Sequence, residues 1–261
     1  MPANYAHYRF GSALLPAMPA DARRTVQRFR SLYDVGLHGP DIFFYYTPII
    51  KSSTGSLGVK YHAQTGQEFF QRVCRAVRME RSEASLAYLF GVLSHYCLDS
   101  VCHPYVKEHS STSDATHMEI ETEFDRFLLA KDGKIPPHAQ NLSQHLRLTP
   151  GECETVAKFY PAAGLPTVKD SLRSFLFATR LLCAPEGARR TILKTGMDIF
   201  TPDLTGMMMT TTPNPRCQQH DEPLFALYQQ AAEQFPEMLN QLQAHMTYNA
   251  PFGKEFEQIF G

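Results

Sequence analysis

LAYLFGVLSHYCLDSVCH, residues 86–103, is the stretch from which the fold and the site are both read. It is apolar nearly throughout and contains no proline, which describes a buried helix rather than a half-exposed strand. Its polar groups are not scattered. His95, Asp99 and His103 follow at i, i+4 and i+8, which on a helix stacks them on one stripe with a drift of about 40° per step. Gly91 lies one turn earlier on that stripe. Glycine is a poor helix former, so a close approach by another backbone or a ligand is the expected reason for it. Pro104 disfavours helical geometry at the residue before it, which puts His103 at the helix end. An ionised Asp in a dry helix is costly unless it is paired or bound to a metal. A metal would satisfy Asp99 together with both imidazoles, and a hydrogen-bonded polar network is the alternative.

The same style of patterning extends outward. Few segments alternate apolar and polar residues with the period of a strand, whereas helical spacing recurs over 4–15, 20–33, 63–79, 83–103, 114–130, 151–159, 167–183, 186–198 and 222–246. The expected fold class is therefore all-α and multi-helical. Loops carry Gly and Pro, as in Gly39-Pro40, Pro136-Pro137 and the segment from Thr212 to Arg216. No internal repeat is visible. The polar connection at 131–150 requires no domain break, so residues 1–261 are read as a single domain.

A second polar pair sits in His117-Met-Glu-Ile-Glu121, again at i, i+4, with Ser113 or Asp114 as the expected cap. Its stripe continues to Phe124 and Leu128, which turns His117 and Glu121 inward and Glu119 and Glu123 toward water. His62 is read as opening a helix whose same-face followers are Gly66, Phe69 and Val73. Asp41 follows the rigid Gly39-Pro40 turn and precedes the aromatic run Phe43-Phe44-Tyr45-Tyr46, while His7 lies on the first helix. The candidate ligands are thus His7, Asp41, His62, His95, Asp99, His103, His117 and Glu121. Nitrogen and oxygen donors in that number suffice for two metal ions, or three with a bridging carboxylate. Any one of these histidines alone would ordinarily be a hydrogen-bonded core residue.

In order and spacing, His7, Gly39-Pro-Asp41, His62, His95-x-x-x-Asp99, His103-Pro104 and His117-x-x-x-Glu121 resemble the zinc-dependent phospholipase C family, whose all-α fold is shared with the S1/P1-type nucleases. The likeness covers roughly residues 1–130; over 150–250 only the helical character agrees. It implies zinc as cofactor, in two or three ions. Asp41, His62, His95 and Asp99 would surround one, and His103, His117 and Glu121 another. His7 and the amino terminus would hold a third, bridged through Asp99. The resemblance further implies hydrolysis of a phospholipid or other phosphodiester, for which Asp41 is read as ligand and proton acceptor; the 43–46 rings are read first as core and second as lining beside the substrate.

Composition narrows the alternatives. Hydrophobic residues at 43% and charged residues at 20% describe an ordinary globular chain. With 25 basic and 26 acidic residues, no global field recruits nucleic acid, so an S1/P1-type nuclease is the second reading and a non-catalytic metal- or lipid-binding domain the third. The expected partner is the phosphodiester substrate with transient membrane-surface contact, and no stable nucleic-acid partner. Six cysteines are too sparse for a disulfide scaffold, so reduced, buried thiols are expected, with zinc ligation by Cys97 or Cys102 a minor option. Neither a signal peptide nor a membrane span is visible, and the expected location is cytoplasmic. Met207-Met-Met209 is read as core filler or a mobile loop rather than a lipid contact. The remaining histidines (38, 109, 138, 145, 220 and 245) are read as surface or structural.

Overall fold

In a computed structural model of the chain, residues 4–45, 53–200 and 202–261 are described, without the side chains of 53–56, 202 and 203. The helices among them are α1 (Asn4–Leu14), α2 (Ala20–Arg28), α3 (Arg30–Gly36), α4 (Ser53–His62), α5 (Gly66–Glu80), α6 (Glu83–Thr112), α7 (His117–Lys131), α8 (Pro150–Phe159), α9 (Gly164–Leu182), α10 (Ala188–Phe200) and α11 (Asp221–Tyr248). A 3-10 segment, Gly39–Tyr45, links α3 toward α4. No strand occurs among the described residues, and Thr65 and Ile259 form an isolated β-bridge. The fold is all-α, and no described helix is long and apolar enough to cross a membrane.

The central element is α6, buried on every side over most of its length because it has no polar face to expose. It packs against α3, α11, α1, α2 and α7. Gly91 proves to be the point where α3 crosses it. A Cβ there would stand 2.3 Å from the Tyr33 carbonyl oxygen and 2.8 Å from Gly36 Cα. Glycine on both helices lets the two backbones touch, and this contact hangs the Gly39–Tyr45 segment beside His95. Gly39 (φ 44°) is equally constrained, since its Cβ would lie 2.5 Å from the His95 ring. The core runs continuously from α1 to α11, and α9 and α11 back the site as well as completing the core. Phe175 of α9 stacks on Tyr45 at 4.1 Å, and the Cys97 thiol donates to the Ala231 carbonyl of α11 at 3.2 Å. Met208 and Met209 are buried, so they fill core space.

Several boundaries depart from the sequence reading. The helix expected over 20–33 breaks at Phe29 (φ −121°, ψ 48°) into α2 and α3. That expected over 63–79 starts at Gly66, under a capping box in which Thr65 and Glu68 satisfy each other's backbone N–H groups. His62 does not open it; His62 closes the separate α4. α6 does not stop at His103, but runs through Pro104 to Thr112, which leaves His103 inside the helix. An internal proline costs about 3 kcal/mol, and the tertiary packing of α6 outweighs it. Pro104 itself faces solvent, where the carbonyl it cannot bond is free to hydrate. α7 is capped by Thr116, whose hydroxyl accepts from Glu119 N–H at 3.2 Å while Glu119 accepts from Thr116 N–H at 2.9 Å. Neither Ser113 nor Asp114 caps it; Ser113 ends α6. Glu123 does not face water, because it is buried and bonded to Arg126 Nε at 2.8 Å.

Candidate metal centre

Five segments deliver the polar groups. α1 brings His7, the 3-10 segment brings Asp41, the end of α4 brings His62, and α6 and α7 bring the two i, i+4 stripes. Asp125, one turn beyond Glu121, anchors α1 by accepting the N–H groups of Tyr5 and Ala6 at 2.9 and 2.8 Å. Those donors belong to the open first turn of α1, and the buried carboxyl of Asp125 satisfies them. His7 follows directly and is thereby held against α6.

All eight sequence-predicted residues converge. Asp41 Oδ1 lies 2.9 Å from His62 Nε2, and Asp99 Oδ2 lies 3.1 Å from His95 Nε2. On its other side Asp99 Oδ1 faces His7 Nε2 at 3.2 Å and His103 Nε2 at 3.5 Å. Glu121 Oε1 then stands 3.2 Å from both His103 Nε2 and His117 Nε2. One donor atom each from Asp41, His62, His95 and Asp99 fits within 4.8 Å, and the same holds for His103, His117 and Glu121. Asp99 joins the two sets. Seven of the eight residues are buried, and His117, 30% exposed at its side chain, is the open edge.

Whether a cation suits this arrangement can be asked of the hydrogen bonds. His62 Nδ1 lies 2.7 Å from the Gly58 carbonyl, to which it donates its proton. Its Nε2 then carries a lone pair facing a carboxylate oxygen, two acceptors that repel unless a proton or cation lies between them. Buried polar groups in native proteins are nearly always satisfied. Here Asp41 Oδ1, His62 Nε2, both nitrogens of His95 and Asp99 Oδ2 lack a hydrogen-bond partner among the described residues. Orphaned atoms gathered at one point, all of ligand type, fit a metal, and nitrogen with carboxylate oxygen is a zinc donor set.

The charge states of Asp99, Asp41 and His95 agree. Burial alone would raise the Asp99 carboxyl, but the imidazoles of His103, His95 and His7 outweigh it and hold Asp99 well below the usual carboxylate range. Asp41 is likewise lowered against burial, with His62 and His95 contributing. Burial pushes His95 down to about 4, so its imidazole is neutral, as a ligand must be. For His7 and His62 burial is overcome by the facing carboxylates, and both are raised.

The aromatic run divides. Phe43 and Tyr45 are core residues, whereas Phe44 is half-buried with its ring 4.9 Å from that of His62. Tyr46 and the amino terminus expected to hold a third ion lie outside the described residues. Cys102 is a buried free thiol, raised by burial and by Asp99, and belongs to neither ligand set. His38 and His145 pair through Nε2 at 2.8 Å and stack beside His7, a structural role. Sequence reasoning missed Gly58, whose carbonyl orients His62, and Asp125. It also missed Thr116, although Thr116-x-x-Glu119 is a legible capping-box signature.

An all-helical scaffold bringing histidines and carboxylates into two adjoining sets, with Asp99 of the first facing His103 of the second, defines the class: a helical protein with a candidate multi-metal centre. The family model described as zinc dependent phospholipase C matches residues 6–160, and the chain belongs to that family. No curated protein and no solved structure matches the chain.

Proposed function

We propose that the protein is a zinc-dependent phosphodiesterase that cleaves phospholipid headgroups in the manner of a phospholipase C. The observation that carries this reading is the pair of adjoining ligand sets with Asp99 between them, in the first of which Asp41 Oδ1, His62 Nε2, both His95 nitrogens and Asp99 Oδ2 are buried without a hydrogen-bond partner among the described residues. Asp41, His62, His95 and Asp99 would hold one zinc, and His103, His117 and Glu121 a second. His7, against Asp99, is the protein's contribution to a third. Zinc at these sets supplies a Lewis acid for the phosphoryl oxygens and lowers the pKa of water toward neutrality.

The chain's own residues supply the rest. Asp41, ionised and beside His62, accepts the proton released as water attacks phosphorus. Gly58 keeps His62 in the tautomer that presents Nε2 inward. Burial of the carboxylates in an interior of low dielectric strengthens every charge interaction at the centre. Phe44 is the half-exposed ring beside His62 and forms an apolar lip for the substrate, while His117 marks the polar side.

The test is hydrolysis by zinc-loaded protein of phosphatidylcholine, of a soluble aryl phosphodiester and of single-stranded DNA. Cleavage of the first two supports the reading. Cleavage of DNA alone replaces it with a nuclease, and cleavage of none leaves a metal- or lipid-binding domain.

A further inference from the structure

Residues 249–261 follow α11, lie beyond the stretch matched by the family model, and fold back over the metal centre. The segment is a fastened strap. Tyr96 Oη lies 2.9 Å from the carbonyl oxygens of both Glu255 and Gln258. Gly66 N–H donates to Gln258 O at 2.9 Å, Phe260 N–H to Gln64 O at 3.3 Å, and Gly261 N–H to His62 O at 3.3 Å. Phe256 and Phe260 are fully buried, with the Phe260 ring 4.8 Å from Tyr96, 4.9 Å from Phe69 and 6.2 Å from His95.

What the strap delivers to the centre is Gly261. A Cβ built there would lie 2.1 Å from His103 Nδ1 and 3.2 Å from His62 Cδ2, so a residue outside both ligand sets touches one imidazole of each. The two rings differ in how they are held. His62 has the Gly58 carbonyl at 2.7 Å on its distal nitrogen, whereas His103 Nδ1 is buried without a hydrogen-bond partner among the described residues. Metal-ligating imidazoles depend on outer contacts for their orientation, and loss of such a contact typically costs about 10–100-fold in metal affinity.

We propose that Phe260–Gly261 is a positioning wall of the metal centre. It confines the His103 ring so that Nε2 faces Asp99 and Glu121, and it ties the end of α4, with His62, to the same wall. Glycine is required at 261 because even a methyl group would take the space of the His103 imidazole. The inference rests on the reading of the two sets as zinc ligands.

Stripped wild-type, Gly261→Ala, Gly261→Val and Ile259→Ser proteins, back-titrated with zinc against a competing chelator, test it. The melting temperatures of the metal-free proteins and the imidazole nitrogen NMR signals are read in parallel. Gly261→Val should bind zinc at one of the sites about 10–100-fold more weakly, with an unchanged metal-free melting temperature and displaced His103 signals. Gly261→Ala should fall between it and wild type, and Ile259→Ser, altered where the strap is 40% exposed, should bind as wild type does. Undiminished affinity in Gly261→Val overturns the proposal, as does a loss matched by a lower metal-free melting temperature, which would be general packing. Wild-type protein that binds no zinc would instead overturn the zinc reading and take this inference with it.

Discussion

Replacing Gly91 with Ala tests the contact that sets the centre's geometry. The added Cβ would sit 2.3 Å from the Tyr33 carbonyl oxygen, against an ordinary contact distance of 3.4 Å, so α3 and α6 must part by about 1 Å. Both obstructing groups, Tyr33 O and Gly36 Cα, are backbone, so no flexible side-chain end can yield. Overpacking of this kind costs roughly 3 kcal/mol, the upper end of the usual range. Alanine returns about 1 kcal/mol of helix propensity. The net loss of about 2 kcal/mol corresponds to a melting temperature lower by about 4–8 °C. The separation also reaches the site, because α3 leads into the segment bearing Asp41 while α6 carries His95 and Asp99. A displacement near 1 Å can cost on the order of 100-fold in rate. Urea and thermal melts of the metal-free protein, with zinc titration and phosphodiester hydrolysis alongside, measure both effects. An alanine variant as stable and as active as wild type would refute the argument that glycine is there for the crossing.

Other substitutions separate the contributions further. Asp99→Asn removes the carboxylate of the first set that also faces His7 and His103, and hydrolysis should fall at least about 100-fold together with bound zinc; full metal content in an active variant would contradict its role as a ligand. Thr116→Ala dismantles the cap of α7, and a loss of about 1 kcal/mol in urea melts is expected, without loss of zinc stoichiometry. Asp221, raised to about 7 by burial and then by Glu123, carries a pH signature. Its folded pKa lies above the unfolded value, so its favourable contribution is complete below about pH 4 and is lost as pH rises through 7. Asp221→Asn should therefore match wild type near pH 4 and exceed it by about 2 kcal/mol at pH 8, allowing for solvent screening. Equal stability at both pH values would rule that assignment out.

The site was more legible in the sequence than the element boundaries were. An apolar helix cannot hide a His/Asp/His stripe without a use for it, so residues 95–103 pointed inward before any packing was known. Pro104 misled because local backbone preference ends a helix there, whereas α6 is held by its neighbours on all sides. α4 escaped notice since its Ser- and Gly-rich opening has low helix propensity, and that omission placed His62 at the start of a helix it does not belong to. Glu123 looked exposed by its position on the wheel, but Arg126 one turn on pairs with it inside. Gly261 carries no local signal at all. Its meaning depends on a chain reversal that brings the end of the strap to residues 62 and 103, a contact no periodicity encodes.

The most direct test of the account is metal analysis of the purified, dialysed protein. At least two zinc ions per chain are predicted, falling by at least one in Asp99→Asn, since that carboxylate belongs to the first set and faces His103 of the second. A wild-type chain that retains no zinc, and takes up none on reconstitution, would contradict the central claim.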